Sequence, residues 1–364
     1  MDSSLLHTEP VRMPLLYSQP SQSHRFCVAP MMELTDRHAR FLLRLISRRA
    51  RLYTEMVAAN ALRRRDAARF LRFSPAERPL ALQLGGADPA ELASCARLAQ
   101  EAGFDEVNLN VGCPSDRVTS GRFGACLMEE PELVADAVAA MRAAASIPVT
   151  VKTRIGLGRD ESTDTVFRLV ERCRAAGCGI FVIHARNAWL DGLSPSENRD
   201  IPPLRYEVVH ALKRAFPGVA FIVNGGIRGF DAMTEHLARL DGVMLGREAY
   251  YNPMSLREVD HRLFGDPPPA LHARDIALAY ADYVAAELRA GTPLRSMTQH
   301  LIPLYRDTPG ARRWRRTLSE HARMAGAGIE VIHDALAAVN GAAAEERDDG
   351  QDVRSARTEP AETE

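Results

Sequence analysis

Cys113 lies in the run Asn108-Leu109-Asn110-Val111-Gly112-Cys113-Pro114, just past a short apolar segment. Free cysteines are usually buried hydrophobes, and Cys27, Cys95, Cys173 and Cys178 are assigned to that class. Cys113 is not, because the glycine before it and the proline after it mark exposed turn backbone. A thiol so placed could be a nucleophile, a redox thiol or a general acid. None of the six cysteines stands at Cys-x-x-Cys spacing, so donation of a proton to a substrate being reduced is the most economical role. Asn108 and Asn110 alternate along one strand and share a face, where one could orient a substrate and the loop.

Lys152 is the second unusual residue, one of only two lysines among 46 basic side chains. A lysine kept in an arginine-biased chain suggests a task that a guanidinium cannot perform. Two further stretches, Asn224-Gly225-Gly226-Ile227 and Leu245-Gly246-Arg247, close apolar segments with backbone free of side chains. Consecutive amides can approach a phosphate there, and Arg247 can add a charge-assisted contact. With Gln83, Lys152 and His184 across from it, such a site suits a ligand with a phosphate at one end and a polar ring system at the other. Flavin mononucleotide (FMN) has that shape, and a lysine beneath its N1–C2=O edge would stabilise the anionic reduced ring.

These residues need a frame that gathers them. Short apolar runs bounded by Gly, Pro or Asn predict strands at Phe26–Pro30, Leu52–Met56, Leu80–Leu84, Glu106–Asn110, Pro148–Thr153, Ile180–His184, Ala220–Asn224 and Gly242–Gly246. Amphipathic stretches between them predict helices, with Asp88-Pro89 as a start signal and Gly103 and Gly177 as stop signals. Eight strands alternating with helices predict an α/β fold, a (β/α)8 TIM barrel, whose chemistry sits at the carboxyl ends of its strands. A doubly wound open sheet would need a glycine-rich loop after the first strand, and Ala29-Pro30-Met31-Met32 is nothing of the kind.

The chain has 364 residues, 46% of them hydrophobic and 26% charged, with a net charge of −1. That is an ordinary soluble composition. No apolar run is long enough for a membrane span, and the N-terminal stretch lacks a signal-peptide pattern, so a cytoplasmic protein is expected. The cysteines are too sparse for a disulfide scaffold or a common structural zinc module, and no metal is expected. Residues 1–23 read as a flexible arm and 24–265 as the barrel. After the stiff Gly265-Asp266-Pro267-Pro268-Pro269 linker, 270–340 read as a small helical domain, and 341–364 as an acidic disordered tail. Six arginines stand against two acids between Tyr305 and Ala325, a basic stripe suited to phosphate contacts with a folded RNA.

Taken together these segments resemble the tRNA-dihydrouridine synthase family, most of all its A subfamily. The matching stretches include Thr35-Asp36-Arg37, Leu52-Tyr53-Thr54-Glu55-Met56, Leu82-Gln83-Leu84-Gly85-Gly86, Val151-Lys152-Thr153-Arg154 and Ile183-His184-Ala185-Arg186. Asn108-Leu109-Asn110-Val111-Gly112-Cys113-Pro114 is the most specific. Glu33-Leu34 and Ala39 depart from the subfamily's usual residues. The resemblance implies an FMN enzyme, reduced by NADPH, that saturates the C5–C6 bond of D-loop uridines in tRNA. The subfamily's usual targets are positions 20 and 20a. Flavin N5 would deliver hydride to C6, and Cys113 would protonate C5 from the other face. By the same resemblance Pro30, Met31, Met32, Gln83, Lys152, His184, Asn224, Gly225, Gly226, Gly246 and Arg247 hold the flavin. By resemblance Ser196 and Arg199 contact tRNA; Asn110, Arg186, Arg312 and Arg315 are expected to do so as well, and a monomer is expected. Two rival readings share the barrel: an FMN reductase of a free pyrimidine or other small molecule, and a tRNA-binding protein without catalysis.

Overall fold

The computed structural model describes residues 21–62, 67–115 and 123–339. The first twenty residues and the acidic tail, on which the flexible arm and disordered tail were expected, lie outside the described residues. Nine parallel strands form one sheet: β1 (Phe26–Val28), β2 (Leu52–Tyr53), β3 (Val57–Ala58), β4 (Leu80–Gly85), β5 (Glu106–Val111), β6 (Val149–Arg154), β7 (Ile180–His184), β8 (Ala220–Asn224) and β9 (Gly242–Leu245). The spatial order is β1-β9-β8-β7-β6-β5-β4-β2, with β3 also on β4. The ends of that order meet. Val28 N–H donates to the Arg51 carbonyl and Arg51 N–H to the Phe26 carbonyl, each at 2.9 Å. The sheet is therefore a closed barrel, as predicted, with β2 and β3 sharing one strand position. The expected strand over Leu52–Met56 is interrupted because the Thr54 side chain turns inward to the sheet, its hydroxyl accepting from Gln83 N–H at 3.0 Å.

The helices form where the sequence places their signals. Asp36 caps the helix Arg37–Ile46 by accepting from the N–H groups of His38 and Ala39. Asp88 accepts from Glu91 N–H ahead of the helix Pro89–Ala102, which Gly103 ends at φ +91°. Apolar side chains segregate into two shells. Strand residues facing outward, such as Leu82, Leu109, Val151 and Phe181, pack under the helices. Those facing inward, Cys27, Tyr53, Ala81, Ile180, Val182, Ile222 and Met244, form a smaller cluster inside the barrel.

Beyond the barrel come the helices Ala273–Arg289, Arg295–Leu301, Ala311–His321 and 330–339. The helix Arg295–Leu301 is short. After Leu301 the backbone tightens into a 3-10 turn, Ile302–Tyr305, where Pro303 has no N–H to continue an α-helix. The helical segment packs on Arg37–Ile46. Phe41 stacks on Tyr283 with centroids 4.0 Å apart, and the Arg37 guanidinium grips both Glu287 carboxylate oxygens.

Candidate active site

Register decides which side chains meet inside the barrel. Gln83 lies beside Asn108, Asn108 beside Thr150, and Asn110 beside Lys152. Paired residues of parallel strands point the same way; Ala81, two residues before Gln83 on β4, and Val182, paired with Lys152, belong to the inner cluster. Gln83 Nε2 donates to Asn108 Oδ1 at 2.8 Å, and Asn110 Nδ2 donates to Gln83 Oε1 at 3.0 Å. The remaining Asn110 oxygen accepts from the N–H groups of Gly112 and Cys113, at 3.1 and 2.9 Å.

Three further contacts fix the loop that follows β5. Arg154 Nε donates to the Gly112 carbonyl at 3.0 Å, and Ala125 N–H to the Cys113 carbonyl at 2.9 Å. A Cβ on Gly112 would come within 3.1 Å of the Thr153 carbonyl carbon, so only glycine lets β6 pass so close. The Cys113 thiol is half-buried and lies 3.4 Å from the Ser115 hydroxyl, whereas Cys27, Cys95, Cys173 and Cys178 are buried in the core. Lys152, Arg154 and Arg199 are the basic side chains near the sulfur.

Around that thiol the rim is electropositive. Lys152 Nζ donates to Asn224 Oδ1 at 3.2 Å, and Asn224 Nδ2 to the Met244 carbonyl at 2.8 Å. Burial, with Arg154 adding to it, lowers the Lys152 ammonium to about 8. Burial and the charges of Arg154 and Lys152 push His184 well below its ordinary value, so it is a neutral imidazole at physiological pH. Directly after Asn224 stand Gly225 at φ +115° and Gly226 at φ +67°. A Cβ would strike His184 Cδ2 at 2.7 Å from the first and Leu204 Cδ1 at 2.5 Å from the second. The Tyr206 hydroxyl holds the Gly225 carbonyl at 2.5 Å. Gly246 is less confined, its nearest neighbour being the Met31 sulfur at 3.6 Å from a built Cβ.

These residues fit FMN. The positive-φ glycine pair ends β8 in backbone free of side chains, and Lys152, Arg154, Arg186 and Arg247 carry positive charge at the same end, Arg247 being paired with Asp200. Gln83, Lys152, His184 and Asn224 face the same barrel end. Met31 packs on the inner cluster, Pro30 is half-buried, and Met32 is 55% exposed at the rim. Arg247 is held by Asp200 through two bonds, NH1 to Oδ2 at 3.0 Å and NH2 to Oδ1 at 2.5 Å. A phosphate there would share the guanidinium with that carboxylate or compete for it.

The residues expected to meet RNA fall into two groups. Arg186 donates to the carbonyls of Asp200 and Pro202, while Ser196 and Arg199 are exposed on the long loop after β7. Asn110, by contrast, is 8% exposed and turns its amide to Gln83 and the Cys113 loop. Arg312 and Arg315 are apart from the strand ends. They are exposed on the helix Ala311–His321, whose Trp314 is buried and donates to the Leu301 carbonyl at 2.9 Å. With Tyr251, Tyr305, Arg306 and Arg313 they line a cavity of about 790 Å³ beside the helix Arg247–Tyr251 that follows β9.

Three positioning residues have no signal in the order of residue types. Asn198, fully buried, accepts from Trp189 N–H at 2.8 Å and donates to the Trp189 carbonyl at 2.8 Å, folding its loop around itself. Asp200 and Tyr206 act on partners distant in sequence. A fourth, Arg154, was legible: it follows Lys152 by two residues on one strand and so shares its face. Its NH1 also donates to the carbonyls of Asn187 and Asn198, at 2.9 and 3.0 Å, joining the Cys113 loop to the loop after β7.

The profile of the dihydrouridine synthase (Dus) family matches residues 27–340. A tRNA-dihydrouridine(20/20a) synthase of Pseudomonas putida is 52% identical over 89% of this chain and 96% of its own length. A protein of the same name from Shewanella oneidensis is 53% identical, over 84% of this chain and 91% of its own.

Proposed function

The chain belongs to the dihydrouridine synthase family, and from that premise we propose that it reduces uridines at positions 20 and 20a of tRNA to 5,6-dihydrouridine in the cytoplasm, using FMN and NADPH. The observation that carries this reading is the placement of a half-buried thiol, on a loop held from three sides, at the barrel end that also presents Lys152, His184 and the Gly225-Gly226 pair.

A bound FMN would supply the hydride chemistry of the reduction, with NADPH as its reductant. Lys152, Gln83, His184 and Asn224 would hold its ring, and Gly225, Gly226, Gly246 and Arg247 its phosphate. Cys113 gives the sulfhydryl proton to C5 on the opposite face and regains one from water, a role its partial exposure permits. A uridine must leave its stack to enter the mouth. Arg186, Ser196 and Arg199 would border that entry, and the Arg312 and Arg315 helix, apart from the strand ends, would offer further phosphate contacts.

The purified protein is expected to be yellow, to release FMN on denaturation, and with NADPH to form dihydrouridine at positions 20 and 20a of unmodified tRNA. A colourless protein that takes up no added FMN overturns the reading. So does a flavoprotein that leaves tRNA unchanged while reducing a free pyrimidine.

A further inference from the structure

Inside the barrel, polar contacts continue below Asn108 to the opposite end. Asn108 Nδ2 donates to Thr150 Oγ1 at 2.8 Å, and the Thr150 hydroxyl donates to Glu106 Oε1 at 2.6 Å. Glu106 is the first residue of β5 and has no solvent exposure. Tyr53 OH donates to its Oε1 at 3.1 Å, while His24 Nε2 lies 2.7 Å and Arg51 NH1 3.1 Å from its Oε2. Burial alone would raise this carboxyl, but Arg51 and then His24 outweigh it and hold the group at about 2. Glu106 is therefore an anion at every physiological pH.

An anionic carboxylate only accepts hydrogen bonds. The single Thr150 proton must go to it, which leaves Thr150 lone pairs facing Asn108. Asn108 must then present its NH2 to Thr150 and its oxygen to Gln83. Gln83 in turn presents NH2 to Asn108 and oxygen to Asn110, and Asn110 presents NH2 to Gln83. Its oxygen is left for the loop, where Gly112 and Cys113 turn their N–H groups to it and their carbonyls to Arg154 and Ala125. The oxygen and nitrogen ends of an amide are told apart by their partners, and here an acceptor at one end and donors at the other demand the same orientation. Each bond also polarises the next in one direction, so the charge of Glu106 strengthens the acceptor that grips the loop.

We propose that Glu106 is a positioning residue for the Cys113 loop, acting through the row Thr150, Asn108, Gln83 and Asn110. The importance of that loop for uridine reduction rests on the function proposed above; the relay itself does not. Thr150→Val keeps the strand shape and removes the hydroxyl, and Thr150→Ser restores it. Amide hydrogen exchange at Gly112 and Cys113 in the holoenzyme reads the grip directly. Exchange is expected to rise about tenfold in Thr150→Val, the change that ~1.4 kcal/mol of lost hydrogen bonding converts to, and to return to wild type in Thr150→Ser. Amides of the helix Arg295–Leu301 should not change.

Unchanged exchange at the two loop amides overturns the relay, as does equal acceleration in Arg295–Leu301. If Thr150→Val does not fold, Gln83→Met cuts the row nearer the loop and must accelerate the same amides at least as much; wild-type exchange there also overturns it. Tenfold faster exchange in a protein that reduces no uridine would retain the relay and reject the proposed function. In the active enzyme, Thr150→Val should slow tRNA reduction and leave NADPH bleaching of the flavin at its wild-type rate.

Discussion

A proton donor has to be oriented toward its acceptor and still be reached by solvent that restores its proton. Cys113, proposed for that role, is half-buried and carried by a loop whose carbonyls and amides are tied to Asn110, Arg154 and Ala125. Cys113→Ala is expected to let NADPH bleach the flavin normally while slowing dihydrouridine formation by about 10²–10⁴-fold, the usual range for a general acid. Stopped-flow absorbance separates the two half-reactions, and normal tRNA turnover in the variant would exclude the role. Lys152 gives a second expectation. Its ammonium, lowered to about 8 by burial, begins to lose its charge near that pH in the free protein. If binding an anionic flavin favours the protonated form, FMN affinity should weaken as pH rises past about 8. The same titration of Lys152→Met should be flat across that range. Both residues stand out in the sequence because their neighbours or their rarity set them apart. Glu106 does not: an acidic residue opening a strand looks like a solvent-facing terminus until His24, Arg51 and Tyr53, all distant along the chain, are folded around it.

At the scale of elements, the helix Ala311–His321 divides its two faces cleanly. Trp314 and Leu318 are buried, while Arg312, Arg313, Arg315 and Arg316 are exposed. Arg312→Ala combined with Arg315→Ala should weaken tRNA binding and reduce the slope of log affinity against log salt by about one per phosphate contact removed. Fluorescence anisotropy at several salt concentrations checks this, and an unchanged slope would assign the helix to another partner. Strands and helices were legible because burial on both faces and 3.6-residue periodicity are local properties. The interruption between β2 and β3 was not, since it depends on Thr54 reaching Gln83 on the next strand. The loop after β7 shows the same limit: its length is visible in the sequence, whereas its fold around Asn198 depends on Arg154 from another strand.

At the scale of the whole molecule, the helical segment is continuous with the barrel. One hydrophobic core runs from the outer face of the strands to Tyr280, Trp314 and Leu336. Arg37 and Glu287 close the polar edge of that junction, and their pairing draws the Glu287 carboxyl down to about 2. A carboxyl depressed in the folded state stabilises above its unfolded value and loses that contribution as pH falls through the folded one. Glu287→Gln should therefore be less stable than wild type at pH 5 and above, with the difference shrinking between about 4.5 and 2. Denaturant unfolding across that range measures it, and a pH-independent difference would mean the ion pair contributes nothing. Barrel and helices were separately legible in the sequence, yet their fusion was not, because Phe41 and Tyr283 read alone as ordinary apolar positions on two amphipathic helices.

Closure of the barrel also sets an order in time. β1 is hydrogen-bonded to β9, Phe26 opposite Val243, and touches β2 only through the short seam at Arg51. A chain emerging from the ribosome exposes Phe26–Val28 long before its principal partner has been made. Strands β4 to β8 can associate with their neighbours one after another as they appear, since each pairs with the next in sequence. The first strand must wait for Gly242–Leu245 to be translated, and only then does the ring shut. Pausing or truncating synthesis before that point would leave two bare strand edges, the form in which this protein would be most exposed to misassembly.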